Sequence, residues 1–189
     1  AEGSAAFDGI ARYADVAGAV ERMRAGQVPI AFVRGVNPAY AMPVSAKFAE
    51  AFAKVPFKVS FSLYPDETTE LCDLMLPDLH SLESWGDATA GPNAISLQQP
   101  AMDPVFGGTR ATADVLIQLA QKDPANAARY AQKDYRSWLI GRFPGGMDAF
   151  TATLVKGVGA GATAPRATAP AVAAPIVAAQ PIEQTGGDF

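Results

Sequence analysis

The sequence predicts an α/β protein: a partial parallel sheet with crossover helices, a long loop, C-terminal helices and an extended Ala/Pro-rich tail. Three observations point there. Short apolar runs of strand length alternate with stretches whose apolar residues recur at helical spacing, the rhythm of right-handed crossovers in a parallel sheet. Periodicity then lapses between Leu79 and Arg110 and returns as helices. From Gly157 onward the composition turns to Ala, Pro, Gly and Thr, which cannot bury enough large apolar surface to fold alone.

Asp15 is placed to cap a first helix that carries Val16, Val20 and Met23 on one face and ends near Gly26. Val28 to Val33 reads as the first strand, an apolar run suited to burial on both faces of a parallel sheet. It stops at Gly35 and delivers Asn37-Pro38 into a loop, where open α/β sheets place their ligands. Pro43 suits the first turn of a helix with Val44, Phe48, Phe52 and Val55 as its buried stripe. Pro56 ends it. Phe57 to Ser62 is the second strand, Glu67 to Cys72 a short helix, and Leu74 to Leu76 a third strand closed by Pro77.

The stretch Leu79 to Arg110 holds His80, Glu83, Trp85 and Asp87 and reads as a long loop that is either functional or covered by another element. Thr112 can cap a helix bearing Val115, Leu116 and Leu119. Asp123-Pro124 opens a longer helix through Tyr135, Trp138 and Leu139. A last helix, about Met147 to Lys156, buries Phe150 and Leu154. The division is therefore 1–156 as an α/β segment and 157–189 as a semi-rigid linker toward a following domain.

The chain has 189 residues, a formal net charge of −4 and no run of Lys or Arg, which argues against nucleic acid as a partner. The single Cys72 excludes an internal disulfide and any iron–sulfur cluster held wholly by these residues. No apolar run approaches the roughly 18 residues of a membrane span. The opening Ala-Glu-Gly-Ser, with no initiator Met, favours an internal fragment.

Candidate chemistry is sparse. Asn37-Pro38 reads first as a turn, second as a polar loop facing a nucleotide-like ligand. Asp66 and Glu67 follow the second strand at the equivalent position; they would repel a phosphate and match a helix dipole instead. A carboxylate there could also accept the amino hydrogens of a purine-like group, with Thr68 beside it. His80, Glu83 and Asp87 resemble a metal or acid–base set, but there is no second His, so a hydrogen-bonded structural His is expected and no metal ligand is assigned. Trp85 reads as a loop anchor. No G-x-S-x-G elbow, P-loop or G-x-G-x-x-G is present. Gly107-Gly108 and Gly145-Gly146 read as turns. Cys72, among Leu71, Leu74 and Asp73, has an environment that raises a thiol pKa and is not an activated nucleophile.

Four pieces in order resemble a known family: Val-Asn-Pro-Ala-Tyr at 36–40, Val-Ser-Phe-Ser-Leu-Tyr-Pro-Asp-Glu-Thr at 59–68, Cys-Asp-Leu-Met-Leu-Pro-Asp at 72–78, and Leu-Glu-Ser-Trp-Gly-Asp at 82–87. They are similar to the molybdopterin oxidoreductase superfamily, with Cys72 in place of a usual Ala. The last piece, with Leu97-Gln-Gln-Pro100 downstream, is closer to the large molybdopterin-like/iron–sulfur subunit of alternative complex III, a bacterial quinol-oxidising respiratory complex. The resemblance runs from about Val16 to Lys156.

It implies a non-catalytic segment of an α/β domain in a much larger polypeptide, without cofactor here and with iron–sulfur clusters in the following half. It implies partners in a membrane respiratory complex and in the rest of its own subunit, on the periplasmic face after twin-arginine export. The alternative is a fragment of a catalytic molybdenum oxidoreductase, of the polysulfide or thiosulfate reductase kind, in which Asn37, Asp66 and Thr68 line a molybdopterin guanine dinucleotide pocket. A third reading is a free-standing small-molecule-binding α/β domain with a flexible tail.

Overall fold

The computed structural model of the chain describes residues 11–91 and 94–160. Helix α1 (Tyr13–Arg24) opens it, capped by Arg12 rather than Asp15. Asp15 lies in the first turn, where its carboxylate accepts the Arg12 backbone N–H at 2.8 Å and faces the positive end of the helix dipole. Of the expected apolar face, Val20 is buried, Met23 is packed beside it, and Val16 is left exposed.

Strands β1 (Ile30–Arg34), β2 (Phe57–Phe61) and β3 (Leu74–Met75) form the expected parallel sheet in the order β1-β2-β3. Ala31 pairs with Lys58 and Val33 with Ser60, and this face carries the first core. Ala31 and the partly buried Val33 pack there with Val20, Phe48, Ala51, Phe52 and Val55. Lys58 is the polar exception on this face. Its ammonium is neutralised by Asp73 at 2.9 Å and bonded to the Val55 carbonyl at 3.1 Å, so burial leaves no free charge.

The opposite face corrects the expectation that β1 is buried on both sides. Ile30 lies in register with Phe57, and Phe32 with Val59 and so with Leu74. Val59 and Phe61 are buried, but Ile30 is 50% exposed, Phe32 51%, Phe57 43% and Leu74 41%. An apolar run shows that a strand has two apolar faces. It does not show that this chain supplies covering for both.

The β1–β2 crossover is also more broken than its periodicity suggests. It comprises α2 (Pro38–Ala41), a 3-10 turn (Val44–Ala46) and α3 (Phe48–Phe52). Lys47 adopts a left-handed φ of 46° between the last two, which stops a continuous helix from Pro43. Val44 falls off the stripe at 94% exposed, while Phe48 and Phe52 stack at 5.1 Å. Helix α4 (Glu67–Glu70) forms the second crossover, so Cys72 lies just beyond it.

The region expected to be a long loop contains a hairpin. Strands β4 (Gly86–Gly91) and β5 (Ala94–Gln98) pair antiparallel, and β6 (Gly159–Ala160) adds to β5. Ile95 and Leu97 alternate onto a second core with Leu139, Phe143 and Phe150. Glycines at 86 and 91 and small residues between them mask β4 in the sequence; its pairing is a tertiary event.

Helix α5 (Thr112–Ala120) is capped by Ala111 rather than Thr112. The single helix expected from Pro124 to Leu139 is two, α6 (Pro124–Ala127) and α7 (Tyr135–Gly141), with Asp123 and Asp134 as their caps. The Gln121 amide holds the connection by donating to the carbonyls of Tyr130 (2.7 Å) and Gln132 (2.8 Å). Helix α8 (Gly146–Lys156) falls where expected. It ends at Gly157 with φ 80°, and the returning β6 passes so close to Thr153 that a Cβ on Gly159 would collide with that side chain. Among the described residues no helix is long and apolar enough to cross a membrane. Residues 161–189 of the expected linker lie outside the described residues.

Two substitutions separate the covered face from the open one. Phe52→Ala, at a fully buried position, is expected to cost about 3–5 kcal/mol in urea unfolding. Ile30→Lys is expected to change stability by no more than about 0.5 kcal/mol and to slow concentration-dependent association measured by light scattering, because it interrupts the open apolar face.

Candidate functional site

The carboxyl ends of β1 and β2 open into a cavity of about 700 Å³, closed on its far side by the β4–β5 hairpin. Ligand sites of open α/β sheets occupy this position. Arg34 to Asn37 enter from β1, Phe61 to Asp66 from β2, Asp78 to Ser81 from the segment after β3, and Trp85 to Ala88 from the hairpin.

Asp78 organises this end of the sheet, and sequence reasoning assigned it no role. The strand β3 ends at Met75, and Pro77 turns the chain so that Asp78 is buried, 7% exposed, behind it. Its Oδ2 accepts the Arg34 Nε–H at 2.9 Å. Its Oδ1 accepts the backbone N–H of Leu79 and of Thr112, each at 2.9 Å. One carboxylate thus joins the end of β1, the exit of β3 and the start of α5. The only sequence signal was a charged residue directly after an apolar Leu-Met-Leu-Pro run, with Arg34 as its mirror at the end of β1.

Of the residues expected to line a dinucleotide pocket, Asn37 and Asp66 line the cavity and Thr68 does not; Asn37 and Thr68 bond to each other. Thr68, 1% exposed, donates its hydroxyl to Asn37 Oδ1 at 2.7 Å and accepts the Ala39 N–H at 2.9 Å. Asn37 donates its amide to Glu67 Oε2 at 2.6 Å. This bond, ahead of the helix-end backbone N–H, draws the Glu67 carboxyl below its ordinary pKa. Asp66 caps α4 by accepting the Thr69 N–H at 2.7 Å. Asn37 is itself the cap position of α2. Asn37, Glu67 and Thr68 clasp the loop after β1 to the helix after β2, and Asp66 caps that helix.

His80, Glu83 and Asp87 diverge. Glu83 accepts the N–H of Val105 and of His80, each at 2.9 Å, and these bonds, Val105 first, pull its carboxyl below the ordinary range. His80 Nδ1 accepts the Leu82 N–H at 3.2 Å. Asp87 faces the other way, taking the Arg142 guanidinium at 2.7 Å and the Tyr135 hydroxyl. Burial, then the Asp87 carboxylate, pushes the Tyr135 phenol far above its ordinary pKa. Among the described residues no three His, Cys, Asp or Glu side chains converge as metal ligands.

Trp85 anchors its loop as expected, its ring 5.7 Å from Phe150 and beneath the Arg136 guanidinium. Burial raises the Cys72 thiol pKa, again as expected, and its Sγ lies 3.3 Å from the Thr68 carbonyl.

The lining carries little unpaired positive charge. Among its described residues Arg34 is the one Lys or Arg, and it is held by Asp78; Asp66, Asp78 and Asp87 put three carboxylates along the same walls. A diphosphate needs backbone N–H groups or unpaired cations facing it. What the cavity offers is aromatic and amide surface: Trp85, Tyr64 and Gln98.

Thr68→Val is expected to destabilise the fold by about 1–3 kcal/mol in denaturant titration, since the half-buried Ala39 N–H and the Asn37 side-chain carbonyl lose their partner. Acid should act through Glu67, Asp73 and Glu83. Lys58 holds Asp73 below its ordinary value, and all three carboxyls are depressed in the folded state. A depressed folded pKa gives stability that is complete above the unfolded value and lost as pH falls through the folded one. Urea midpoints should therefore hold steady above the ordinary values of 3.8 and 4.5 and fall below them, less steeply in Asp73→Asn.

No protein-family model matches the chain. The menaquinone reductase molybdopterin-binding-like subunit of Nitratidesulfovibrio vulgaris is 40% identical over 90 residues, 46% of this chain and 13% of that protein. A nitrate reductase of Shewanella frigidimarina is 33% identical over 75 residues, 39% of this chain and 8% of that protein. The chain thus matches only a small part of the length of either relative. Over the stretches they share, this α/β chain is related to the molybdopterin oxidoreductases.

Proposed function

We propose that this chain is a non-catalytic structural segment of the large peripheral subunit of a membrane-bound, quinol-oxidising electron-transfer complex of the alternative complex III kind. Iron–sulfur clusters would sit in the following half of the subunit, and the whole would face the periplasm. The observation that carries the reading is the clasp at the strand ends. Asn37, Asp66 and Thr68 bond within the chain, and the cavity that Asn37 and Asp66 line carries carboxylates. Groups that hold a sheet together in this way serve architecture. The relative named as a molybdopterin-binding-like subunit of menaquinone reductase supports a quinone-linked complex and a molybdopterin-like framework.

The second reading is a fragment of a catalytic molybdenum oxidoreductase that binds a guanine dinucleotide at the same cavity. It is favoured by the likeness to a nitrate reductase and by the position of the cavity at the carboxyl ends of parallel strands. The purified parent protein separates the two. The structural reading expects molybdenum at background by elemental analysis and no guanine nucleotide released on denaturation. Stoichiometric amounts of either, lost in an Asp66→Ala variant that still folds, would establish the second reading instead.

A further inference from the structure

The loop after β5 holds its apolar side chains out to solvent. Met102, Val105 and Phe106 are 45%, 60% and 72% exposed, and Leu82, to which the loop bonds, is 50% exposed. The loop is nonetheless pinned. The Ala101 and Met102 N–H groups donate to the Leu82 carbonyl at 2.8 and 3.1 Å, and the Val105 N–H donates to Glu83 at 2.9 Å. The Thr109 hydroxyl closes the turn on the Phe106 carbonyl at 2.8 Å. A braced loop that presents a Phe ring is a preformed knob, because little ordering cost remains when it binds.

The helical half offers a matching hole. A groove of about 440 Å³ lies between α5 and α7, walled by Leu116, Ile117 and Tyr130. Tyr135 and Trp138 form its floor, their rings stacked at 5.5 Å and 16°. The Tyr135 hydroxyl is taken by Asp87 and the Asn126 amide by Asp123, so these side chains require no polar partner from an occupant. A benzene ring fills a cavity of about 150 Å³. The groove therefore has room for a Phe ring with a second apolar side chain beside it.

We propose that the occupant of this groove is the 102–106 knob of a second copy of this chain. Charge complementarity favours this occupant. The knob carries one charged residue, the exposed Asp103. The groove rim carries Arg129, whose guanidinium lies over the Tyr130 ring at 5.6 Å. Among the described residues neither Asp103 nor Arg129 forms an ion pair. Asp123, on the same rim, is turned inward to Ala125 and Asn126. Within one molecule Phe106 stands in solvent, so the pairing is between molecules.

Knob and groove are different surfaces, so the contact runs head to tail and leaves each end of an assembly free to add another copy. Four apolar residues are few beside the roughly 20–30 per side of a standard interface, so the association is weak and concentration-dependent. Both surfaces belong to the described fold, and the contact does not rest on the quinol-oxidising reading.

Sedimentation of the full chain over a concentration series tests this, in an Ile30→Lys background that removes the open sheet face as a competing contact. The proposal expects assemblies that grow past the dimer. Phe106→Asp, which removes the knob, and Leu116→Glu, which blocks the groove, should each weaken association by about thirtyfold. Mixed in equal amounts, the two variants should form a dimer and stop there, since one supplies only a groove and the other only a knob. In that mixture the Trp138 indole N–H signal of the Phe106→Asp chain should shift and that of Trp85 should stay in place.

A chain that stays monomeric, that stops at a dimer unmixed, or that associates unchanged in either variant overturns the proposal. So does a mixture that remains monomeric. Should Leu116→Glu fail to fold, charge reversal at the surface replaces it. Asp103→Arg and Arg129→Asp should each weaken association about fivefold, and the chain carrying both should recover it; no recovery overturns the proposal.

Discussion

A single buried carboxylate holds the two halves of this chain to a common frame. Asp78 receives Arg34 from the end of β1, Leu79 from its own turn and Thr112 from the start of α5. The segment from Asp78 onward also returns to β2, since the Asp78 N–H reaches the Ser62 carbonyl at 3.3 Å. An acceptor-only group with two oxygens suits such a junction, because it can serve several donors from different directions at once. The position of Arg34, 63% exposed against 7% for Asp78, keeps the cation hydrated. Its value is thus mainly in orientation and hydrogen bonding, and less in the Coulomb attraction of an exposed pair.

Around that junction polar groups are repeatedly consumed by structure. Thr68 and Asn37 join the loop after β1 to α4, Asp66 caps the same helix, and Glu83 ties the 80–84 turn to Val105. On the far wall Asp87 takes both Arg142 and Tyr135 and so fixes the hairpin to α7. The cavity that results has the location of a ligand site and the walls of a braced joint. Its carboxylates are matched to internal donors, which leaves little positive potential for an anionic group.

The parallel sheet and its order of elements were legible because they rest on local pattern. Val28 to Val33 and Phe57 to Ser62 are strand-length apolar runs, and the stretch between them has helical spacing. Boundaries and breaks were less legible. Lys47 enters the left-handed region, and α6 and α7 separate through side-chain bonds from Gln121, which lies outside both. The hairpin β4–β5 was invisible because Gly86-Asp-Ala-Thr-Ala-Gly91 has no apolar alternation of its own; its partner Ile95 and the second core define it. Among the site residues, Asn37, Asp66 and Thr68 stood out by position after strands. Asp78 did not, because nothing local distinguishes an exposed turn acid from a buried junction.

The sequence by itself determined which segments extend and which coil, the one-sided stripe of Phe48, Phe52 and Val55, and the composition change at Gly157. These follow from the conformational preferences of neighbouring residues and the 2.0 and 3.6 periods of strand and helix. Only the tertiary structure decided that β1 keeps one apolar face open, that Asn37 turns to Thr68 rather than outward, and that Asp78 lies where three elements meet. Those outcomes depend on which surfaces long-range packing brings into contact. A one-dimensional pattern records the capacity of a side chain to bond or to be buried, but not the partner that meets it.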